Sequence, residues 1–184
     1  MILPIYVYGS EVLRESAKEA DLNEKEELTR LIADMKETLA KAEGCGLAAP
    51  QVGKSLRVLI ADGSEMVQTY PYLKGFERVM INPRVVSQSS DTVEYEEGCL
   101  SVPGIYANVR RPSSVTVEYW NEKFEKVTET FDKFGSRIIQ HELSHLDGDL
   151  FVDRVAPVRK KIISKKLQNI ARGKASARYS TILK

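Results

Sequence analysis

Apolar residues recur at helical spacing between residues 23 and 42, the clearest periodic segment of the chain. The stripe on one face of this segment consists of Leu28, Leu31, Ile32, Met35 and Leu39. Asp21 or Asn23 can cap the N-terminus of such a helix, and Gly44 lies just past its C-terminus. The pattern predicts an amphipathic helix with a structural role.

Shorter runs predict a set of mostly antiparallel strands. These runs are residues 2–8, 56–60, 78–87 and 93–99, followed by a hairpin of residues 114–120 and 123–130. Asn82-Pro83 interrupts the third run, which places that strand near a sheet edge or at a bend. Residues 62–78 are polar and contain Gly63, Pro71 and Gly75, a composition typical of a long loop.

Two helices are predicted after the strands. The first covers about residues 132–147, with Asp132 as its N-cap and Gly148 as its C-terminal stop. The second is basic and runs from Pro157, which suits a first helical turn, to Gly173. The apolar stripe expected to pack this helix against the body consists of Val158, Ile162, Ile163, Leu167 and Ile170.

These elements predict one α+β domain over residues 1–184, with mostly antiparallel strands packed around a central helix and with an N-terminal and a C-terminal helix. Apolar residues make up 42% of the chain and charged residues 29%, as in ordinary globular proteins. No apolar run reaches membrane-spanning length and no signal-peptide pattern opens the chain, so we expect a cytoplasmic protein without membrane contact. The two cysteines are too few for a disulfide framework and should be free thiols.

Charge is distributed unevenly. Residues 154–184 contain ten Lys or Arg residues and no acidic residue, so the remaining 1–153 carry 17 of the 27 basic and all 26 acidic residues, a net −9. A basic C-terminal helix and tail on an acidic body often contacts a polyanion. The ordinary alternative is the solvated face of a docked helix.

The only two histidines, His141 and His145, lie four residues apart in the predicted central helix, and Glu142 follows the first. Positions i and i+4 share one face of a helix, so both imidazoles can reach one metal ion, while Glu142 can hydrogen-bond a water molecule there. Cys99 is a candidate third ligand, because a thiolate and two imidazoles with one free position form an open catalytic site. The alternative is that all three ligand candidates are ordinary buried residues.

The segment 44–53 is small, uncharged and rich in glycine. A phosphate-binding loop is not indicated, because no Lys-Ser/Thr follows the glycines. The glycines favour a close approach of the backbone to a ligand. A tight turn between helix and strand is the alternative.

Three segments, in order along the chain, resemble the motifs of the bacterial peptide deformylases. Gly44–Gln51 is similar to glycine-hydrophobic-glycine-leucine-alanine-alanine-x-glutamine. Glu97–Ser101 is identical to glutamate-glycine-cysteine-leucine-serine, and Gln140–His145 matches glutamine-histidine-glutamate-x-x-histidine. Each motif alone is of limited specificity, but the ordered triple is highly specific.

The resemblance implies an enzyme that removes the formyl group from the N-terminal methionine of nascent chains and releases formate. It implies one divalent ion bound by Cys99, His141 and His145, with Fe2+ expected in the cell and Zn2+, Ni2+ or Co2+ possible in purified protein. The ion would acidify a water molecule, and Glu142 would accept its proton and later protonate the departing amine. By resemblance, Gln51 and the backbone N–H of Leu100 would stabilise the oxyanion.

The resemblance also implies where the substrate binds. The peptide would lie extended between Cys45-Gly46 and the segment at Glu97-Gly98, paired through main-chain hydrogen bonds. An apolar pocket for the methionine would be formed by Tyr95, Phe134, Ile138 and His141. The expected partners are nascent formylated polypeptides and the ribosome near its exit tunnel, reached through the basic helix by a protein that we expect to be a monomer.

The chain departs from the family pattern at three places: Cys45 replaces an aliphatic residue, Ser144 replaces an aspartate, and Gly135-Ser136 replace helix formers. Three other functions compete with the predicted one. A peptide-cleaving metalloprotease is disfavoured because the His-x-x-Gly-x-x-His extension is missing. A structural metal site would need Cys45 as a fourth ligand. The substitution at Ser144 raises the possibility of an inactive family member.

Overall fold

The computed structural model describes residues 1–184 and contains three helices and nine strands. The helices are α1 (Lys25–Ala42), α2 (Lys133–Leu146) and α3 (Pro157–Ala171). The strands are β1 (Ile5–Tyr6), β2 (Gly46–Ala48), β3 (Val58–Asp62), β4 (Glu77–Gln88), β5 (Thr92–Cys99), β6 (Val102–Pro112), β7 (Val115–Trp120), β8 (Lys126–Phe131) and β9 (Thr181–Ile182). All pairings are antiparallel except that of β1 with β9. The predicted α+β class is confirmed.

A five-stranded sheet in the order β2-β3-β4-β7-β8 lies between α1 and α2. Strand β3 is buried on both faces from Val58 to Ala61, which explains the run of four apolar residues before Asp62. Val58 and Ile60 pack with the apolar stripe of α1, whereas Leu59 and Ala61 pack with α2. Each fully buried aliphatic side chain of these layers contributes about 1.5–3 kcal/mol through removal of apolar surface from water.

The hairpin of β5 and β6 covers the opposite, polar side of α2. Alternate residues of β6 point inward, and Ile105, Ala107 and Val109 pack with Ile163 and Ile170 of α3. Strand β6 was not predicted, although it shows the alternation typical of a strand with one buried face. The hairpin carries the Glu97–Ser101 motif to the centre of the molecule.

The interruption at Asn82-Pro83 is a bulge inside β4, where the pairing with β7 shifts between Ile81 and Arg84. The predicted bend is therefore present, but the alternative of a sheet edge is wrong because β4 lies between β3 and β7. Asn82 adopts the left-handed conformation, with φ of 51°. Its side-chain amide accepts from the Ala20 N–H (2.7 Å) and donates to the Ala20 carbonyl (2.9 Å), which stabilises the irregular backbone.

The ends of α1 differ from the prediction. The N-cap position is occupied by Glu24, without a side-chain capping bond, rather than by Asp21 or Asn23. At the C-terminus the left-handed residue is Glu43 rather than Gly44, because Gly44 instead makes room for the Leu100 side chain. A Cβ at Gly44 would lie 2.9 Å from the Leu100 Cδ1 atom.

Helix α3 buries a narrower stripe than predicted. Ile163 and Ile170 are buried, but Val158 and Ile162 are 73% and 62% exposed. Ile163, Leu167 and Ile170 pack with β6, so Ile162, the neighbour of Ile163, and Val158 point away from that contact. None of the three helices is long and apolar enough to cross a membrane.

Candidate metal centre

Cys99, His141 and His145 converge where the end of β5 meets the polar face of α2. Their ligand-type atoms all lie within 4.8 Å of one another. The Cys99 Sγ atom is 3.3 Å from the His145 Nε2 atom. The i, i+4 spacing brings both imidazoles to one side of α2, and the β5–β6 turn supplies the thiol from the facing hairpin. A thiolate with two imidazoles is a donor set suited to zinc or ferrous iron.

The surroundings of these side chains fit a metal ion. Buried polar atoms without a hydrogen-bond partner are rare, yet Glu142 Oε2 lacks one among the protein groups and is free to bind a water molecule beside the cluster. The His145 Nε2 atom faces Cys99, and the unpartnered Nδ1 atom lies on the other edge of the ring. Burial, together with the neighbouring His141, holds the pKa of His145 well below its ordinary value. His145 is therefore neutral, which is the form of imidazole that binds metals.

Glu97 holds His141 in place. One carboxylate oxygen of Glu97 lies 2.7 Å from His141 Nδ1, which leaves the Nε2 atom free to bind an ion. Arg111 donates to both oxygens at 2.8 and 3.1 Å, and Arg137 donates at 2.6 Å. Burial alone would raise the pKa of Glu97, but hydrogen bonds from His141 and Arg111 outweigh it and hold the pKa well below 4.5. The sequence reasoning assigned Glu97 to the substrate, whereas both of its oxygens bind protein groups.

The Glu97 carboxylate has the opposite effect on His141, whose pKa it raises. Burial lowers the pKa of His141, but its hydrogen bonds with Cys99 and Glu97 raise it overall, to about 10. An imidazole must lose this proton to bind a metal, so ion binding at this site is coupled to proton release.

Sequence reasoning did not identify Arg111 or Arg137. Arg111 occupies an inward position of β6, in phase with the buried Val109, and Arg137 lies one helical turn before His141. Arg137 also donates to the carbonyls of Val93 and Val109, both at 2.7 Å, and so joins α2 to both strands of the hairpin. In both cases the sequence contained a signal, a charged residue at a position where the period of the strand or helix predicts a buried side chain.

Two of the three departures from the family pattern have local explanations. Ser144 is buried, and its hydroxyl accepts from Arg111 at 2.8 Å and donates to the Gln140 carbonyl at 3.1 Å. A Cβ at Gly135 would lie 3.2 Å from the Phe76 ring, so glycine makes space for that ring. The Ser136 hydroxyl accepts a hydrogen bond of 2.9 Å from the Gln140 side chain.

Glu142 lies beside the cluster on α2. Burial raises the pKa of Glu142 to about 7. A Cβ at Gly46 would lie 2.5 Å from Glu142 Oε1, so only glycine lets β2 pass this close to the carboxylate. The close approach predicted for the glycine-rich segment is present, but the group it accommodates is Glu142.

Gln51 and Leu100 flank Cys99. The Gln51 oxygen accepts from the Ala48 N–H at 2.9 Å, which turns its amide nitrogen towards Ser101 Oγ (3.1 Å) and Cys99 Sγ (3.6 Å). Leu100 lies in the turn between β5 and β6, and its backbone N–H donates no hydrogen bond to another backbone group. Two N–H donors, one fixed and one free, thus lie next to the thiol.

A cleft of about 900 Å³ opens onto the cluster. Both segments predicted to hold the peptide, Cys45-Gly46 and Glu97-Gly98, line it. The other predicted residues that do so are Gln51, Cys99, Leu100, Phe134, Ile138, His141 and Glu142. Tyr95 does not line the cleft; its ring packs edge-on against Phe134 at 5.3 Å between centroids. Cys45 was the candidate fourth ligand of a purely structural metal site. It lies outside the three-residue cluster, and burial raises the pKa of its thiol to about 11, so it does not complete such a site.

The chain is similar to proteins of one family throughout its length. The polypeptide deformylase family matches residues 2–161. Peptide deformylase from Chlorobaculum tepidum is 46% identical over 179 residues, which cover 97% of this chain and 93% of the relative. The Fusobacterium nucleatum peptide deformylase is 43% identical over 171 residues, covering 92% and 93%. A solved structure of peptide deformylase from Plasmodium falciparum superposes with a TM-score of 0.83 at 34% identity, covering 92% and 95% of the two chains. The chain therefore belongs to the polypeptide deformylase family, metal-dependent hydrolases that remove the formyl group from the N-terminal methionine of newly made polypeptides.

Proposed function

We propose that this deformylase acts through one divalent ion held by Cys99, His141 and His145. The observation that carries the proposal is the convergence of these three side chains within 4.8 Å. We expect Fe2+ in the cell, and Zn2+, Ni2+ or Co2+ in purified protein, because a thiolate and two imidazoles bind all four. When bound, such an ion would supply Lewis acidity, which lowers the pKa of a nearby water molecule.

Glu142 is the proposed general base. Its pKa of about 7 lets it accept a proton from the attacking water near neutral pH and return that proton later in the reaction. The water oxygen forms a bond to the formyl carbon, and the carbon–nitrogen bond then breaks as the amine takes the proton from Glu142. The products are formate and a peptide with a free N-terminus.

Gln51 and Leu100 are the proposed donors to the oxyanion that develops on the formyl oxygen. The Ala48 N–H fixes the orientation of the Gln51 amide, so its NH2 group points towards the cluster before the substrate arrives. The Leu100 N–H is not engaged by another backbone group and can donate to the oxyanion without first losing a partner. Donors that are oriented in advance stabilise developing charge most effectively.

The cleft supports binding of an extended peptide between Gly46 and Gly98. Main-chain pairing there does not depend on the downstream sequence, and Phe134 and Ile138 offer the methionine side chain an apolar wall. We propose that Tyr95 supports Phe134 from behind rather than contacting the substrate, since the two rings pack edge-on and only Phe134 lines the cleft.

The test is formate release from a formyl-methionyl dipeptide by metal-loaded protein, with a blocked internal peptide as the control substrate. Cleavage of the internal peptide alone would favour a metalloprotease. The Glu142→Gln variant should keep its metal, because no ligand changes, and lose about three orders of magnitude in rate with the general base. Near-normal formate release by the metal-loaded variant would refute the role of Glu142.

The exposed lysines of α3 support a proposed contact with ribosomal RNA near the exit tunnel. Lys160, Lys161, Lys165 and Lys166 are all exposed, and no acidic residue occurs from residue 154 to the C-terminus. A weak, salt-sensitive contact would raise the local concentration of nascent chains without altering the chemistry. We also expect a cytoplasmic monomer, which sedimentation velocity and cell fractionation would test.

Charge reversal tests this contact. Changing the four α3 lysines to glutamate should reduce ribosome co-sedimentation at low salt and leave turnover of a free formyl peptide unchanged. The matched control changes four exposed lysines elsewhere, Lys18, Lys54, Lys74 and Lys123. Equal ribosome binding by both variants would show that α3 is only a structural helix with a basic surface.

A further inference from the structure

The C-terminal segment, residues 172–184, returns from α3 to the cleft. Its strand β9 pairs in parallel with β1, and the Glu11 N–H donates to the Lys184 carbonyl at 2.9 Å. This pairing leads residues 176–179 along the rim of the cleft, where they form part of its lining. The segment lies beyond residues 2–161, the part of the chain matched by the family.

Tyr179 connects this segment to the turn after Cys99. Its hydroxyl donates to the Leu100 carbonyl at 2.7 Å, and no backbone N–H donates to that oxygen. The ring packs against the apolar cluster that also contacts the Leu100 side chain. Burial raises the pKa of Tyr179, so the phenol keeps its proton and acts as the donor.

The peptide unit that Tyr179 binds is also bound at its other end. The Leu100 carbonyl and the Ser101 N–H belong to one peptide plane, and that N–H points to Cys99 Sγ at 3.4 Å. Donation to the carbonyl polarises the peptide and strengthens its N–H as a donor to sulfur. One hydroxyl therefore acts on the orientation of the turn and on the hydrogen bond to the thiol.

We propose that Tyr179 is a positioning residue: its hydroxyl fixes the Leu100–Ser101 peptide and, with it, the Ser101 hydrogen bond to Cys99. By holding the Leu100 carbonyl it also restrains the turn that carries the Leu100 N–H, which belongs to the preceding peptide. The proposal rests on the proposed function, because it presupposes that the Leu100 N–H receives the developing oxyanion. Tyr179 does not touch the reacting atoms. Its effect should therefore appear in kcat rather than in KM.

The Tyr179→Phe variant removes the hydroxyl and keeps the packed ring. We expect kcat to fall about tenfold, with KM within about twofold of wild type, the range typical when an outer hydrogen bond to a metal site is lost. In the metal-free protein, amide exchange at Ser101 should become about fivefold faster, as expected for one lost hydrogen bond. In the cobalt-loaded protein, the sulfur-to-cobalt charge-transfer band should shift.

Tyr6→Phe is the matched control. Tyr6 lies in β1, which pairs with β9, and its hydroxyl makes no hydrogen bond to another protein group. This variant should match wild type in kcat, in Ser101 exchange and in the cobalt spectrum. An equal loss in both variants would show that the segment acts only through packing and would overturn the proposal.

The outcomes separate the two proposals. Unchanged kcat or unchanged Ser101 exchange in Tyr179→Phe, with active wild-type enzyme, overturns the role of Tyr179 and leaves the deformylase mechanism intact. If metal-loaded wild type releases no formate, the proposed mechanism fails, and the exchange measurement still shows whether Tyr179 holds the turn.

Discussion

Replacing Glu97 with glutamine removes one buried negative charge at nearly constant shape. The Glu97 side chain is 3% exposed, and the two guanidiniums that bind it, Arg111 and Arg137, are 3% and 2% exposed. In the Glu97→Gln variant, both arginines remain buried beside a neutral amide. The amide also has one acceptor atom, whereas the carboxylate offers two to its three partners.

The expected loss follows from this geometry. Breaking a buried ion pair by removing one partner costs about 3–5 kcal/mol, because the remaining charge is left uncompensated. The glutamine oxygen still accepts one hydrogen bond, so we expect the lower end, about 3 kcal/mol. For a chain of this size, that corresponds to a fall in Tm of about 6–12 °C.

The pH dependence provides a second test. Hydrogen bonds in the folded state hold the pKa of Glu97 below its ordinary value of 4.5. The carboxylate therefore stabilises the fold fully above pH 4.5, and this contribution is lost as the pH falls from 4.5 towards the folded-state pKa. The difference between wild type and Glu97→Gln should be largest between about pH 4.5 and 6.5 and become smaller below pH 4.5. It should also become smaller above pH 6.5, because Glu97 helps to raise the pKa of His141 to about 10 and that contribution is lost as the pH rises.

Urea unfolding of the metal-free proteins measures both effects without a contribution from metal affinity. Glu96→Gln is the matched control, because Glu96 is the exposed neighbour of Glu97 and forms no ion pair. The control should lie within about 0.5 kcal/mol of wild type. A loss below about 1 kcal/mol in Glu97→Gln, or a difference that grows in acid, would refute the reasoning.

Two further predictions concern the centre. Cys99→Ser should weaken metal retention, whereas Cys45→Val should not, because only the former belongs to the cluster; equal metal content by elemental analysis would require another third ligand. Ser144→Asp would give the buried Arg111 a charged partner where it now binds a hydroxyl at 2.8 Å, and should raise activity or metal affinity by up to about tenfold. Titration with a chelator and formate assays would measure this, and no change in either would show that the serine is neutral.

The parts of the centre that sequence predicted depend on local spacing. The approach of His141 and His145 follows from one helical turn, and the segments of the three motifs do meet at one cleft. Arg111 and Tyr179 were missed because their roles depend on contacts 14 and 79 residues away along the chain. No local pattern specifies such a contact, and the edge alternative for β4 failed for the same reason: sheet order is a long-range property.

The polar residues of helix α2 could be interpreted only from the rest of the fold. By period alone, the helix is amphipathic, and a polar face usually meets solvent. Here every residue from Gly135 to Leu146 is buried, so the polar face must find its partners inside the protein. The β5–β6 hairpin supplies most of them, since Gln140 and Arg137 bind its carbonyls and Glu97 binds His141. The buried atoms that still lack a protein partner, on Glu142 and His145, belong to the residues that we assign to proton transfer and to the ion. The Glu142 carboxylate, which no protein group engages at Oε2, is therefore available for the proton transfer that we assign to it.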